Sequence, residues 1–336
     1  MSGNVLLRGT TFFNNVAFGG DGSAGTVNYD AATEGNGGSG GQAAGGGAFI
    51  GGGILSIVNC TFVGNTLRAG FGNNGASGLG GAYSGGGNGG NGGSAAGGAI
   101  CVAGGFAYLT NATFVGNSSM AGDEGAGGLA SPQRVPPYPP NGTNGLPGQL
   151  EGNTISIESG QITLLNSILS CATGKTNAFG PIIDAGYNLN SDATGFLTNS
   201  TSLNGVDPKL GTLGNHGGPT PTIPLLPGSI AIDHGDPASF PPTDQRGYPR
   251  PFGSAPDIGA FEYWTYPPNS LSVSNVSNGM FDLVFWGTNG QRFTTLASDN
   301  LSDWKPISTN TIAANNWFEM FFPMNDGWSF YQTVSQ

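Results

Sequence analysis

This chain is poor in charge. Only 9% of its 336 residues are Asp, Glu, Lys or Arg, and 20 acidic against 9 basic side chains leave a net charge of -11. Binding phosphate needs clustered Lys and Arg, so nucleic acid and acidic membranes are poor partners and no nucleic acid is expected. Long apolar runs are missing too: none reaches the roughly 18 residues of a membrane helix, so no transmembrane segment is expected. Met1 to Asn15 lacks the basic start, apolar centre and cleavage site of a signal peptide. Cysteine is rare. Cys60, Cys101 and Cys171 leave at least one thiol unpaired, and none has metal-ligand spacing. The expected role of all three is that of small buried apolar fillers.

What the chain has in abundance is glycine, 63 residues of it, and a repeat. The stretch GGAICVAGGFAYLTNATFVGN, Gly97 to Asn117, holds a block that recurs three more times. Placing Phe114 over Phe12, Phe62 and Leu169 aligns five columns without a gap. They are Val5/Leu55/Ala107/Ile162, Leu7/Ile57/Leu109/Leu164, Gly9/Asn59/Asn111/Asn166, Phe12/Phe62/Phe114/Leu169 and Asn15/Asn65/Asn117/Ala172. Two apolar positions two apart put one face of a strand inward. The small or amide residue that follows suits a left-handed bend, and the aromatic beyond it begins a second strand. One such rung cannot bury its own face, so rungs must stack at about 4.8 Å, with Asn side chains bonding along their column. The expected fold is all-β, a right-handed parallel β-helix, the hand following from the rule for parallel crossovers. Asn59 and Asn111 also head Asn-x-Thr triplets, and their ladder position makes them structural rather than glycosylated.

The elements Gly46 to Phe49 and Gly97 to Ile100 (GGA-[ILVF]), together with the F-x-x-N elements Phe12 to Asn15, Phe62 to Asn65 and Phe114 to Asn117, resemble the repeats of polymorphic outer-membrane proteins. That resemblance implies a surface adhesin with a β-helical passenger. The fourth block departs from it, with Leu169 and Ala172 in place of Phe and Asn.

Between rungs lie two glycine-rich inserts, Phe18 to Gly47 and Leu67 to Gly98. Two readings stand side by side. As flexible linkers each closes for roughly 3 kcal/mol. As ordered legs of polyglycine-type threefold helix, folded once and up to about 45 Å long, they must form a dense backbone hydrogen-bond lattice, because ordering costs about 1 to 2 kcal/mol per residue. Neither insert is a phosphate loop, since no Lys-Ser or Lys-Thr follows, and no regular Thr array supports ice binding. The third insert, Ser118 to Asn153, contains the Pro-rich run Ser131 to Gly148 and is expected to lie extended on the surface or project from it.

From Ile182 to Tyr263 the elements N-x-G-G-P-T, D-Q-R-G and D-I-G-A-F-E resemble the closing segment of secreted bacterial β-helical proteins called choice-of-anchor Q domains. A secreted or surface location is implied, without an enzymatic activity. This segment gathers His216, Asp233, His234, Asp236, Asp244, Arg246, Arg250, Asp257 and Glu262. The favoured reading is a cap over the last rung, with Arg246 and Arg250 paired to Asp244, Asp257 or Glu262. The competing readings are a calcium site on Asp233, Asp236 and Asp257 and a catalytic cluster. No other cofactor is expected.

After a linker at 265–272, the stretch 273–336 alternates apolar and polar residues with turns between, an antiparallel β-module. It resembles small β-sandwich modules at the ends of secreted bacterial proteins, through Gly290 to Phe293, Asp299 to Trp304 and Phe330 to Val334. Trp286, Trp304, Trp317 and Trp328 are either core or a sugar-stacking face. The domains expected are therefore 1–180, the rungs with their inserts, 181–264, the closing segment, and 273–336. A β-helical lyase or hydrolase is the enzyme alternative. Yet up to residue 175 the only basic residues are Arg8, Arg68, Arg134 and Lys175, and a hydrolase needs two carboxylates about 5 to 9.5 Å apart. We expect a non-enzymatic extracellular or cell-surface structural protein, with polysaccharide binding as the alternative. The first rung has no polar cap. Either it belongs to a longer secreted chain, or Val5, Leu7 and Phe12 form an edge that assembles copies head to tail.

Overall fold

A computed structural model describes residues 3–28, 33–78, 84–132, 136, 138–264, 270–277, 280–287, 290–312, 317–323 and 330–335. The chain divides into two units, Met1–Glu262 and Tyr263–Gln336. No helix occurs among the described residues.

The first unit is a parallel β-helix. Each of the first three rungs opens with a five-residue strand, Asn4–Arg8, Ile54–Val58 or Phe106–Thr110, and the fourth with Gln161–Leu165. These strands and Ile182–Asp184 form one parallel sheet in rung order. Leu7, Ile57, Leu109 and Leu164 are successive register partners, as are Val5, Leu55, Ala107 and Ile162. The chain then bends at Gly9, Asn59, Asn111 and Asn166, with φ of 60°, 52°, 48° and 49°, the left-handed region that glycine and asparagine enter at least cost. A second sheet follows, in which Phe12, Phe62, Phe114 and Leu169 stand in register. Phe12 and Phe62 stack at 4.4 Å between ring centroids, Phe62 and Phe114 at 4.9 Å. The two inward columns meet in one continuous core containing Ile57, Phe62, Leu109, Phe114, Ile162 and Leu164.

The next bend carries the asparagine ladder. Asn15 Nδ2 donates to Asn65 Oδ1, and Asn65 Nδ2 to Asn117 Oδ1, both at 2.8 Å. Amide side chains buried here satisfy each other and the backbone, so the column specifies register as well as filling space. The rung closes through Ala48–Ile50, Ile100–Val102 and Ile155–Ile157. Here Ala48 pairs with Ile100 and Phe49 with Cys101. The glycine-glycine-alanine elements at Gly46 and Gly97 are therefore one residue out of structural register. The equivalent glycines are Gly45, Gly97 and Gly152, with φ of 64°, 69° and 70°, since the turn selects the left-handed glycine and not the tripeptide.

Past the fourth rung the helix shortens to Ile182–Asp184, Leu189–Asn190 and Leu203–Asn204, and Leu197 is buried in the core from the loop between the last two. The remainder of the unit does not sit over this end. It runs back along the flank of the bends: Asn166 Nδ2 reaches Ser239 O, Asn111 Nδ2 reaches Asp257 O and Gly259 O, Asn59 Nδ2 reaches Thr243 O, and Thr11 Oγ1 reaches Pro221 O. Four successive rungs are thus clamped by one segment. The expected cap is instead a lateral clamp, because the outward amides of the bend column are the groups that most need partners.

In the second unit, Ser270–Ser277, Met280–Trp286 and Trp317–Pro323 form one antiparallel sheet, and Lys305–Thr311, Arg292–Ser298 and Phe330–Ser335 another. Tyr331 of the second packs its ring on Phe281 and Phe322 of the first, which makes the pair a small sandwich.

Candidate functional site

Over their described residues the glycine-rich inserts form extended legs joined by a dense lattice of backbone hydrogen bonds. Each folds back once, giving legs at 19–28 and 33–42, at 69–78 and 84–94, and at 121–132 and 138–149. Hydrogen bonds between legs recur every third residue. Among first legs, Gly19, Gly22 and Gly25 donate to Arg68, Phe71 and Asn74 carbonyls, and Gly72, Gly75 and Gly78 to Asp123, Ala126 and Leu129, all at 2.7 to 2.9 Å. Among second legs, Gly37 and Gly40 donate to Asn88 and Asn91, and Gly89 and Gly92 to Thr143 and Leu146. Across the two rows, Gly38 donates to Ser23, Asn73 to Gly38, Gly90 to Asn73 and Gly125 to Gly90. The period of three is that of the polyproline II helix, which has no internal hydrogen bonds and must find them outside. The Pro-rich third insert joins the same lattice rather than lying apart.

Glycine is required at the contacts between legs. A Cβ on Gly37, Gly86 or Gly122 would stand 1.8 Å from a neighbouring carbonyl oxygen, and one on Gly90 would stand 1.9 Å from Gly38 O. The third position of each triplet points outward and is where side chains appear. Many of these have a structural duty: Asn36 Oδ1 accepts from Asn88 N, Asn88 Oδ1 from Thr143 N, Asn91 Oδ1 from Leu146 N, Asp21 Oδ1 from Phe71 N and Asn74 Oδ1 from Ala126 N. Each caps the N–H that the adjoining leg cannot offer to a carbonyl. One outer face is lined by Thr33, Asn36, Ser39, Gln42, Asn88 and Asn91. The other carries Phe18, Phe71, Met120 and Leu129, with Arg68 stacked over Phe71 at 4.6 Å.

The titratable cluster is consumed by the clamp. Arg246 pairs with Asp244 at 2.8 Å and Arg250 with Glu262 at 3.0 Å, all four side chains buried. Glu262 also accepts the N–H groups of Phe252 and Asp257. Burial pushes its carboxyl up to about 7, against the pull of Arg250. Burial likewise lowers Arg246, whose guanidinium lies over the rings of Phe261 and Tyr248. Asp257 Oδ1 accepts from Asp233 N, and Arg250 donates to the Asp257 carbonyl. Asp233 accepts from Ser254 and Ala255, and Asp236 from Ala238. Among the described residues no group of three or more His, Cys, Asp or Glu is placed to hold a metal ion.

The cysteines are free. Burial, with Glu158 beside it, pushes the Cys101 thiol up to about 12, and burial raises Cys60 and Cys171, so none is poised as a thiolate. Of the tryptophans, Trp304 is half-buried and donates its indole N–H to Leu301 O at 3.1 Å, and Trp286 lies within Met280–Trp286. Trp328 and the Trp317 side chain lie outside the described residues. Among the exposed aromatics that the repeat did not single out are Phe106 and Tyr108, two apart on one strand and facing outward. Strict alternation with inward Ala107 and Leu109 was the signal that could have found them.

No protein-family model, curated protein or solved structure matches this chain. Function is therefore argued from its own geometry.

Proposed function

We propose that this chain is a non-enzymatic extracellular structural and adhesive element, in which the β-helix is a mast and the glycine lattice the surface it displays. The observation that carries the reading is the fourth rung. There the connection between Ile168–Ser170 and Ala178–Phe179 is only residues 171–177, and the rung still stacks in register. Closing a rung does not require an insert. Some eighty residues of insert are thus spent on a projection whose interior, among the described legs, admits almost no side chain, and a projection of that kind serves contact with something outside the molecule. The resemblances to polymorphic outer-membrane repeats and to choice-of-anchor Q segments support a surface or matrix setting, with extracellular polysaccharide as a partner. The buried acids, held by arginines and backbone amides, favour a scaffold over a lyase or hydrolase.

The test is to excise residues 19–42, 69–94 and 121–149 together, joining each rung with a connection copied from 171–177. The shortened chain is expected to keep its β-sheet circular dichroism and cooperative unfolding, and to lose the retention of the full chain on insoluble glycans or cell envelopes. Undiminished retention after excision, or glycan cleavage by the full chain, would sink the reading.

A further inference from the structure

The two ends of the lattice differ. In the second insert Gly70, Asn73 and Ala76 donate to Gly41, Gly38 and Gly35, and in the third Gly122, Gly125 and Gly128 donate to Gly93, Gly90 and Gly87. The corresponding N–H groups of the first insert, on Gly20, Ser23 and Thr26, have no partner among the described residues, nor do the carbonyls of Asp21, Ala24, Asn36 and Ser39. This edge presents donors and acceptors at three-residue spacing. A Cβ built on Gly20 meets nothing within 4 Å, so the space beside it is free.

At the opposite end the outward groups are capped. Register equates Ala95 with Leu150, which places Asn141, Asn144 and Pro147 where the second insert has Gly86, Gly89 and Gly92. The asparagines turn inward to accept from Ala130 and Gly127 at 2.9 and 3.0 Å, and proline offers no donor. One edge is capped by side chains and the other is a bare backbone template, the polyglycine equivalent of an unprotected sheet edge.

We propose that the open edge of the lattice pairs with the same edge of a second copy, giving a closed two-fold dimer rather than a head-to-tail filament. Only an extended chain with glycine at the contact positions can approach this edge to bonding distance, and the chain carries such a surface itself. The edge has both donors and acceptors, so it is self-complementary under a two-fold axis, and antiparallel pairing already joins legs within an insert, as in Gly38 to Ser23. The first rung continues the surface: Val5 is 53% exposed where its column partner Leu55 is 6% exposed. Repulsion from the net charge of -11 is reduced here, because Asp21, an acid of the first leg, turns its carboxylate to Phe71 N. The capped edge and the Leu197 loop over the last rung stop growth at the other end. The inference is independent of what the displayed faces contact.

Sedimentation of the full chain over about the micromolar range is expected to give twice 33.8 kDa, with slowed amide exchange at Gly20, Ser23 and Thr26. Gly20→Arg, whose Cβ has free space in the single chain, should keep the circular dichroism of the wild type, sediment at 33.8 kDa and lose any dependence of its melting temperature on concentration. Pro147→Arg on the capped edge should leave the dimer intact, and replacing Asn141, Asn144 and Pro147 together by glycine should allow longer chains of copies to form. A wild-type chain that stays monomeric, a Gly20→Arg dimer, or a Pro147→Arg monomer each overturns the proposal.

Discussion

The lattice predicts a sharp contrast between two glycines of the same motif. Gly90 sits inside it, donating to Asn73 O and accepting from Gly125 N, both at 2.8 Å. Gly90→Ala would place its Cβ 1.9 Å from Gly38 O, where no real Cβ comes closer than 3.0 Å, so the legs must part by roughly 1 Å. Hydrogen bonds weaken steeply over that distance. Losing two to four neighbouring bonds at about 1 kcal/mol each removes about 2 to 4 kcal/mol of local stability. Native-state hydrogen exchange reads this directly: protection at Gly87, Gly90, Gly93 and Gly125 should fall about 30- to 1,000-fold, while amides of Ile57 and Leu109 in the rungs keep theirs. Gly20→Ala meets nothing within the single chain and, measured at dilutions where copies are apart, should be neutral or stabilising by about 0.4 to 1 kcal/mol through the unfolded chain. Full protection in Gly90→Ala would refute a lattice limited by glycine contacts.

Three further outcomes follow from the core and the clamp. Phe62→Ala, which removes the middle ring of a stack with no exposed surface, should lower stability by about 3 to 5 kcal/mol in urea unfolding. Glu262 titrates near 7 instead of 4.5, so the folded chain holds that proton longer than the unfolded chain, and the contribution is full below the ordinary carboxyl range and lost as pH rises through 7. Arg250→Met should deepen this loss, costing about 3 to 5 kcal/mol when the carboxyl is charged and less in mild acid, a difference visible in melting curves on either side of neutrality. Asp192 has the opposite sign. Burial raises its carboxyl, but hydrogen bonds from Thr194, Asn177 and Asn190 outweigh that and lower it. Its contribution is therefore present above the usual aspartate range and lost as pH falls below it, and faster exchange of the Asn177 and Thr194 amides in acid checks this.

The rungs were legible because inward side chains repeat every second residue and their columns tolerate little else: Leu7, Ile57, Leu109 and Leu164 announce themselves by size. The bend residues were legible for a different reason, since Asn59, Asn111 and Asn166 adopt a backbone that few residues enter. The lattice was half legible. Glycine every third residue marks Gly19, Gly22 and Gly25, but the bonds that order them come from the next insert, some fifty residues away, and local pattern carries no such partner. The roles of Asn36, Asn88 and Asn91 were hidden behind the same distance. The clamp was misplaced because charged residues such as Arg246 and Glu262 disclose that they pair but not which side of the helix they pair on.

Helix and lattice are made compatible by a shared dimension. Parallel strands stack about 4.7 to 4.9 Å apart, set by the same N–H to carbonyl bond that joins the legs. Gly64 N to Val115 O between rungs is 3.0 Å, and Gly72 N to Asp123 O between the legs that follow is 2.8 Å. Legs that leave matching corners of successive rungs therefore start at bonding separation and in register, so their nucleation cost falls on the rungs. This explains why a sequence so rich in glycine orders at all: the β-helix supplies the alignment that an isolated polyglycine leg would have to find by itself. It also explains where the array ends. At Asn141 and Asn144 the side chains take the N–H groups of Ala130 and Gly127 and Pro147 offers none, so a further leg would find fewer donors, and the next rung turns through residues 171–177 without one.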